Sequence, residues 1–143
     1  MSHTFSVCPS CKSLNKVSIE KVKASKAVCG KCGKNLDLHG LVSHVTTSEF
    51  RKILRLSDKP VIVDFWASWC GPCQMYGPEF EKASLLNPDV VFLKVNTESE
   101  QELSNEFGIR GIPLTIIFKN GKEVRRQSGA MQASQVMSFL QSL

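Results

Sequence analysis

Six of the 143 residues are cysteine, and they fall into three Cys-x-x-Cys pairs: Cys8/Cys11, Cys29/Cys32 and Cys70/Cys73. Two sulfurs at this spacing can open and close a disulfide, or they can grip a metal ion. The flanking residues separate these chemistries. The third pair lies in Trp66-Ala67-Ser68-Trp69-Cys70-Gly71-Pro72-Cys73, after the apolar run Val61-Ile62-Val63-Asp64-Phe65 and before a segment with helical character. A helix leaves the N–H groups of its first turn without partners, and its dipole places partial positive charge there. Cys70 at that end is therefore favoured as a thiolate. Cys73, one turn further on, is within reach to close a disulfide. Pro72 suits a first turn, where a missing N–H costs nothing. The chemistry read from this stretch is dithiol–disulfide exchange.

The other two pairs are separated by seventeen residues, which fits the C-x2-C-x15–20-C-x2-C spacing of a zinc ribbon. Pro9, Gly30 and Gly33 are residues that tight knuckles use. Four thiolates from Cys8, Cys11, Cys29 and Cys32 complete a tetrahedral shell and leave no position open for substrate, so one zinc is expected, in a structural role or, because oxidation of the thiolates would expel the metal, a redox-sensitive one. Between the pairs there are Leu14, Val17, Ile19 and Val22 and little else that is large and apolar. That is too little for a core, so the metal would supply the folding energy. Two disulfides in the same segment are the alternative reading. His3, His39 and His44 are read as ordinary surface or linker residues, since four cysteines suffice.

Composition sets the wider bounds. A hydrophobic content of 42% supports a core, and no apolar run reaches membrane-spanning length. The first residues lack the charged and apolar regions of a secretory signal, so a reducing cytoplasm is expected. The formal charge of +5 is unevenly placed. Residues 1–45 carry seven lysines against Glu20 and Asp37, whereas the remainder balances eleven basic against eleven acidic residues. This asymmetry suggests a boundary near Gly40, with a zinc-ribbon unit over 1–40 and a second unit over 41–143.

The second unit reads as alternating elements. Residues 41–45 suggest a short edge strand. Thr46-Thr47-Ser48-Glu49 is a capping box opening a helix with Phe50, Ile53 and Leu54 on one face. Val61–Trp66 reads as a strand buried on both sides. A helix follows from Pro72 to about Leu86, with Met75, Phe80, Ala83 and Leu86 among its apolar positions and Pro78 inside it. Val90–Val95 is a second buried strand. Thr97-Glu98-Ser99-Glu100 resembles another capping box, opening a helix with Leu103 and Phe107 and stopped by Gly108. Leu114–Phe118 is a strand returned by Asn120-Gly121, a strong hairpin signal. A last helix carries Val136, Phe139, Leu140 and Leu143. The order β-α-β-α-β-α-β-β-α implies an α/β fold with a mixed central sheet flanked by helices.

Asp64 is the anomaly. A carboxylate within an apolar strand is costly to bury charged, so its pKa should rise. Six residues before Cys70, it is a candidate proton acceptor for the dithiol. Lys94, the one charge in the next strand, could pair with it if the strands are neighbours.

These residues resemble the thioredoxin family over about 41–143. The carriers are Trp66 to Cys73, Asp64, Pro78, Phe107-Gly108-Ile109-Arg110-Gly111-Ile112-Pro113, Phe118-Lys119-Asn120-Gly121 and Gly129. The double Cys-x-x-Cys looks like zinc-bearing bacterial members of the thioredoxin-2 type, as does Lys94-Val95-Asn96-Thr97-Glu98. The resemblance implies a thioredoxin fold, Cys70 as attacking and Cys73 as resolving cysteine, and a redox-active Cys70–Cys73 disulfide. It also implies Asp64 as proton carrier with Lys94 beside it, and Pro113 as a cis-proline facing the dithiol. Trp69, Gly71, Pro72, Ile112 and Gly129 match the lining of the family's substrate groove. Two departures stand out: Leu114 and then Thr115 where the family usually has threonine directly after the cis-proline, and Gly77 before Pro78 where alanine is usual.

The resulting expectation is a protein-disulfide reductase acting on disulfide-containing target proteins and recycled by a flavin-dependent thioredoxin reductase. Gly71-Pro72 adds no charge or imidazole to stabilise a thiolate further, which favours a reductant over a strong oxidant. The family's own characteristic potential, roughly −270 mV, is carried over by resemblance alone. A monomer without membrane association is expected. A nucleic-acid-binding ribbon is the competing class, but Phe5 is the only aromatic residue there, so a stacking surface is lacking.

Overall fold

The structure, a computed structural model, describes residues 3–36, 40–141 and 143. His39 therefore lies outside the described residues. The N-terminal part forms an antiparallel hairpin of β1 (His3–Val7) and β2 (Leu14–Ser18), then the short helix α1 (Ile19–Lys23). The rest follows as β3 (Val42–His44), α2 (Thr47–Leu56), β4 (Val61–Trp66), α3 (Gly71–Leu86), β5 (Val91–Asn96), α4 (Gln101–Glu106), β6 (Leu114–Lys119), β7 (Lys122–Ser128) and α5 (Ala133–Leu140). From β3 onward this is the order expected from the sequence.

The five longer-range strands form one sheet in the order β3-β5-β4-β6-β7. β3, β5 and β4 run parallel, while β6 pairs antiparallel with both β4 and β7. β4 and β5 are central and apolar on both faces, as a sheet covered by helices on two sides requires. Val61, Val63 and Phe65 join Phe50 and Ile53 of α2 and Leu103 of α4 in one cluster. Ile62, Phe92 and Ile117 join Tyr76, Phe80 and Ala83 of α3 and Val136 and Leu140 of α5 in the other. The β6–β7 turn is made by Asn120 and Gly121, both at positive φ, the pair of conformations a two-residue hairpin demands.

The capping box at Thr46 forms, with Glu49 returning to the Thr46 N–H. The second expected box does not. Glu100 is the N-cap of α4 without a side-chain cap bond, and its carboxylate instead accepts from the Thr47 N–H and hydroxyl. Thr97 donates to the Trp66 carbonyl. Tertiary partners outcompeted local ones for the same short polar side chains. Along α3 the buried face carries Tyr76 and Phe80, whereas Met75 and Leu86 are exposed. Leu143 likewise lies beyond α5 and outside its apolar stripe.

The N-terminal hairpin is not an isolated appendage. Phe5 is buried in the first cluster of the main sheet, with Val7 and Leu14 packed against it. Ser43 of β3 donates its hydroxyl to the Phe5 carbonyl, and Lys59 donates to the carbonyls of His3 and Pro88. An aromatic that could have offered a stacking surface is thus consumed by packing.

Candidate functional site: a dithiol beside a buried carboxylate

β4 delivers the chain into the Ala67–Trp69 loop, and α3 begins directly after Cys70. Cys70 is the N-cap of α3, and its sulfur accepts the Cys73 N–H at 3.2 Å. Cys70 and Cys73 are joined in a disulfide. Both are almost completely buried in a small apolar cluster with Ala67, Trp66 and Ile112. Gly71 and Pro72 are exposed, and Trp69 is 73% exposed beside them. The buried dithiol is thus bordered by exposed aromatic surface.

The segment before β6 closes the other side. The Ile112–Pro113 bond is cis. The Ile112 carbonyl oxygen lies 3.7 Å from Cys70 Sγ, and the Gly129 N–H donates to the Pro113 carbonyl at 2.9 Å. Residues distant in sequence, Cys70, Ile112, Pro113 and Gly129, are therefore brought into one neighbourhood. Gly129 has a φ of +92°, which glycine adopts without a steric penalty.

Asp64 is fully buried in β4, opposite Lys94 in the parallel register with β5. Lys94 Nζ stands 3.6 Å from Asp64 Oδ2, and neither carboxylate oxygen has a hydrogen-bond partner. Burial pushes the Asp64 pKa up to about 7, and the Lys94 charge opposes that rise only in part. The pair anticipated from the sequence is thus formed. Lys94 also sits over the Trp66 ring, 5.0 Å from its centroid. Its reach is helped by Gly77 of α3, where an added Cβ would come 3.4 Å from Lys94 Nζ. Glycine inside a helix costs about 1 kcal/mol relative to alanine. Because Nζ ends a flexible chain that can give way, Gly77→Ala is expected to raise stability by roughly 0.5–1 kcal/mol. Urea unfolding measures this, and a lowered midpoint would show that Lys94 has no room to move.

Three contributors were not assigned to the site from the sequence. Glu98 accepts from the Ser68 N–H and hydroxyl at 2.8 and 2.6 Å, pinning the loop that carries Trp69 and Cys70. Those bonds hold the Glu98 carboxyl below its usual range. Its signal was present, but it sat in a pattern that read as a helix cap. Tyr76 and Thr115 are the others, hydrogen-bonded to each other at 2.8 Å inside the core. A tyrosine and a threonine in apolar surroundings carry no local signal of being partners.

A family model described as Thioredoxin matches residues 41–142. The chain belongs to the thioredoxin family. As a thioredoxin it is a thiol-disulfide oxidoreductase that reduces protein disulfides. It is 38% identical over 134 residues to Thioredoxin C-3 of Corynebacterium nephridii, covering 94% of this chain and 91% of that one. That match is longer than the stretch from Leu41 to Leu143, so it extends into the N-terminal cysteine-rich part. A thioredoxin of Haemophilus influenzae is 36% identical over 100 residues, or 69% of this chain and 94% of its own length. Among solved structures, thioredoxin f from spinach chloroplast, in its short form, superimposes with a TM-score of 0.67 at 33% identity, covering 72% of this chain and 93% of that one.

The four remaining cysteines converge at the loop end of the β1–β2 hairpin, where Cys8 and Cys11 lie in the connection itself. The two knuckles share one conformation. In each, the first cysteine's N–H bonds a carbonyl five residues on, and its carbonyl accepts from the residue four on. Those fourth residues, Lys12 and Gly33, both have positive φ. All four sulfurs lie within 4.8 Å of one another, with Cys8–Cys32 and Cys11–Cys29 both at 3.6 Å. A tetrahedral zinc with bonds near 2.3 Å separates its sulfurs by ~3.8 Å, so the cluster has the right dimensions. The Cys29 sulfur also receives the Ser13 hydroxyl, the Lys31 N–H and the Asn15 amide. Donors of this kind, the Ser13 hydroxyl foremost, hold the Cys29 pKa down to about 5, whereas, despite the Lys34 N–H, burial and the neighbouring Cys8, Cys11 and Cys29 sulfurs push that of Cys32 up to about 11, so Cys29 is the better prepared of the two as the thiolate a metal requires. No histidine joins this group among the described residues. No helix among them is long and apolar enough to cross a membrane.

Proposed function

We propose that the reduced protein passes two electrons to a target disulfide through Cys70 and Cys73, with Asp64 carrying the proton between the two steps. The Cys70 thiolate attacks one target sulfur, forming a mixed disulfide and releasing the other sulfur as a thiolate. Cys73 then gives its proton to Asp64 and attacks Cys70. The intramolecular disulfide closes, the second target sulfur leaves, and Asp64 returns the proton to the departing thiolate or to water. The observation that carries this reading is a disulfide at the start of α3 in the same fold as a buried carboxylate that lacks a hydrogen-bond partner and titrates near neutrality. A base with that pKa can accept and release a proton at the working pH.

Within this reading Trp69, Gly71, Pro72, Ile112 and Gly129 form the surface that receives the target, with Pro113 facing the dithiol. Lys94 limits the rise of the Asp64 pKa. A thioredoxin reductase using a nicotinamide cofactor returns electrons to the disulfide, and the compartment is the cytoplasm. The cluster of Cys8, Cys11, Cys29 and Cys32 holds one structural zinc, as in ribbon-bearing members of the family. When bound, the ion would cross-link two knuckles that have little core of their own.

The test is insulin disulfide reduction by the full chain with thioredoxin reductase and NADPH, with zinc quantified in the same preparation. Turnover with about one zinc per chain, released by a thiol-specific modifier, is the expected result. A zinc-loaded chain without turnover would overturn the reductase mechanism. A turning-over chain without metal would overturn the zinc assignment alone.

A further inference from the structure

Tyr76 is a buried titratable group that the exchange mechanism leaves unused. It lies on α3 three residues after Cys73, with no solvent exposure. Its hydroxyl meets the Thr115 hydroxyl at 2.8 Å. Thr115, also fully buried, is the antiparallel partner of Asp64 in the β4–β6 register. Directly paired residues on neighbouring strands project to the same face. Thr115 therefore shares Asp64's side of the sheet, as does Lys94 from the opposite strand. The Asp64 charge is felt at Tyr76, where it adds to the effect of burial in raising the phenol pKa. Around Asp64 the structure thus places a cation on β5 and two linked hydroxyls on α3 and β6.

We propose that Tyr76 and Thr115 are positioning residues for the resolving step: their hydroxyl pair tethers α3 to β6 and turns a hydroxyl dipole toward Asp64 when that carboxylate is ionised. This rests on the proton-carrying role proposed for Asp64. Each hydroxyl holds one proton and can donate or accept, so the pair can reverse direction without losing its bond. When Tyr76 donates to Thr115, the Thr115 proton is free to turn toward the carboxylate. When Asp64 is protonated, the pair needs no partner beyond itself. That gives a buried charge a neutral, reorientable neighbour in addition to Lys94, in a site where neither Asp64 oxygen has a fixed hydrogen bond. The placement also accounts for threonine standing at 115 with Leu114 before it. Leu114 faces the first cluster with Phe65 and Ile116, while Thr115 faces the carboxylate side.

The test is Asp64 titration by carboxyl NMR, in the full-length reduced chain, for the wild type, Tyr76→Phe, Thr115→Val and Thr115→Ser. The titratable groups that interact with Asp64 are Lys94 from β5 and the Tyr76 phenol from α3, with Cys73 one turn before Tyr76 on the same helix and His44 of β3 beside Lys94 in register. Cys73 and His44 are therefore followed in the same titration. Loss of the dipole should raise the Asp64 pKa by about half a unit or more in Tyr76→Phe and Thr115→Val. Thr115→Ser, which keeps a hydroxyl, should stay near the wild type. The pH midpoint for resolving a preformed mixed disulfide should move upward with the pKa. An Asp64 titration unchanged in both Tyr76→Phe and Thr115→Val overturns the inference while leaving the proton role of Asp64 standing. Resolution unaffected by Asp64→Asn would instead remove that proton role, and this inference with it.

Discussion

The Cys70→Ser variant is expected to lose insulin-reducing turnover by roughly three orders of magnitude or more, because without the proposed nucleophile the other groups have nothing to act on. Cys73→Ser should fail differently. Its Cys70 can still attack a target disulfide once, but nothing then expels the target. It should therefore accumulate about one equivalent of a stable mixed disulfide per chain. The asymmetry follows from position. Cys70 is the N-cap of α3 and stands next to exposed Trp69, whereas Cys73 lies a turn inside the helix and is more deeply covered. Mass spectrometry of both variants after exposure to a disulfide peptide decides the matter. A trapped adduct on Cys70→Ser rather than Cys73→Ser would reverse the assigned roles.

The second large effect is on Asp64→Asn, and it has opposite signs for stability and rate. The unfolded carboxyl titrates near 3.9, whereas burial raises the native one to about 7. Between those values the native state holds a proton that the unfolded state has lost. Stability is therefore fully present below pH ~4 and falls as pH rises through 7. A displacement of about three units corresponds to on the order of 4 kcal/mol. At pH 8 Asp64→Asn should be more stable than the wild type by an amount of that order, and the difference should vanish near pH 4. The resolving step at pH 7 should slow by roughly a hundredfold, the lower end for a positioned proton transfer. Denaturant melts at the two pH values, with stopped-flow resolution of a mixed disulfide, measure both. Equal stability at pH 8 would mean that Asp64 is not held charged against the core.

The α/β architecture was legible because β4 and β5 are long apolar runs, α2 carries a clear stripe, and Asn120-Gly121 admits few conformations. The dithiol was legible because its chemistry is concentrated in four adjacent residues. The Asp64–Lys94 pair could be anticipated because a single charge in each buried strand is conspicuous. What escaped notice was decided by distant partners. Nothing near Thr97, Glu98 or Glu100 says that they will bind the Trp66 carbonyl, Ser68 and Thr47 rather than cap their own helix. Met75 and Tyr76 are adjacent and both apolar in large part, so a one-residue difference in helical phase decides which is buried. Phe5 looked like a lone aromatic in a polar segment because its socket is made by strands that begin far along the chain.

That socket has a consequence for synthesis. Chains emerge from the ribosome N-terminus first. The residues of β1 and β2 are therefore made before the strands that cover Phe5, Val7 and Leu14, and Val91, Leu93 and Val95 of the same cluster follow many residues later. During that interval the knuckles can gather their four sulfurs, since those contacts are local, but the apolar side of the hairpin has nowhere to go. The N-terminal lobe is thus begun early and completed late. Its maturation is tied to the arrival of β5, so the gathering of the four cysteines and the closure of the main core are successive stages in the birth of one molecule.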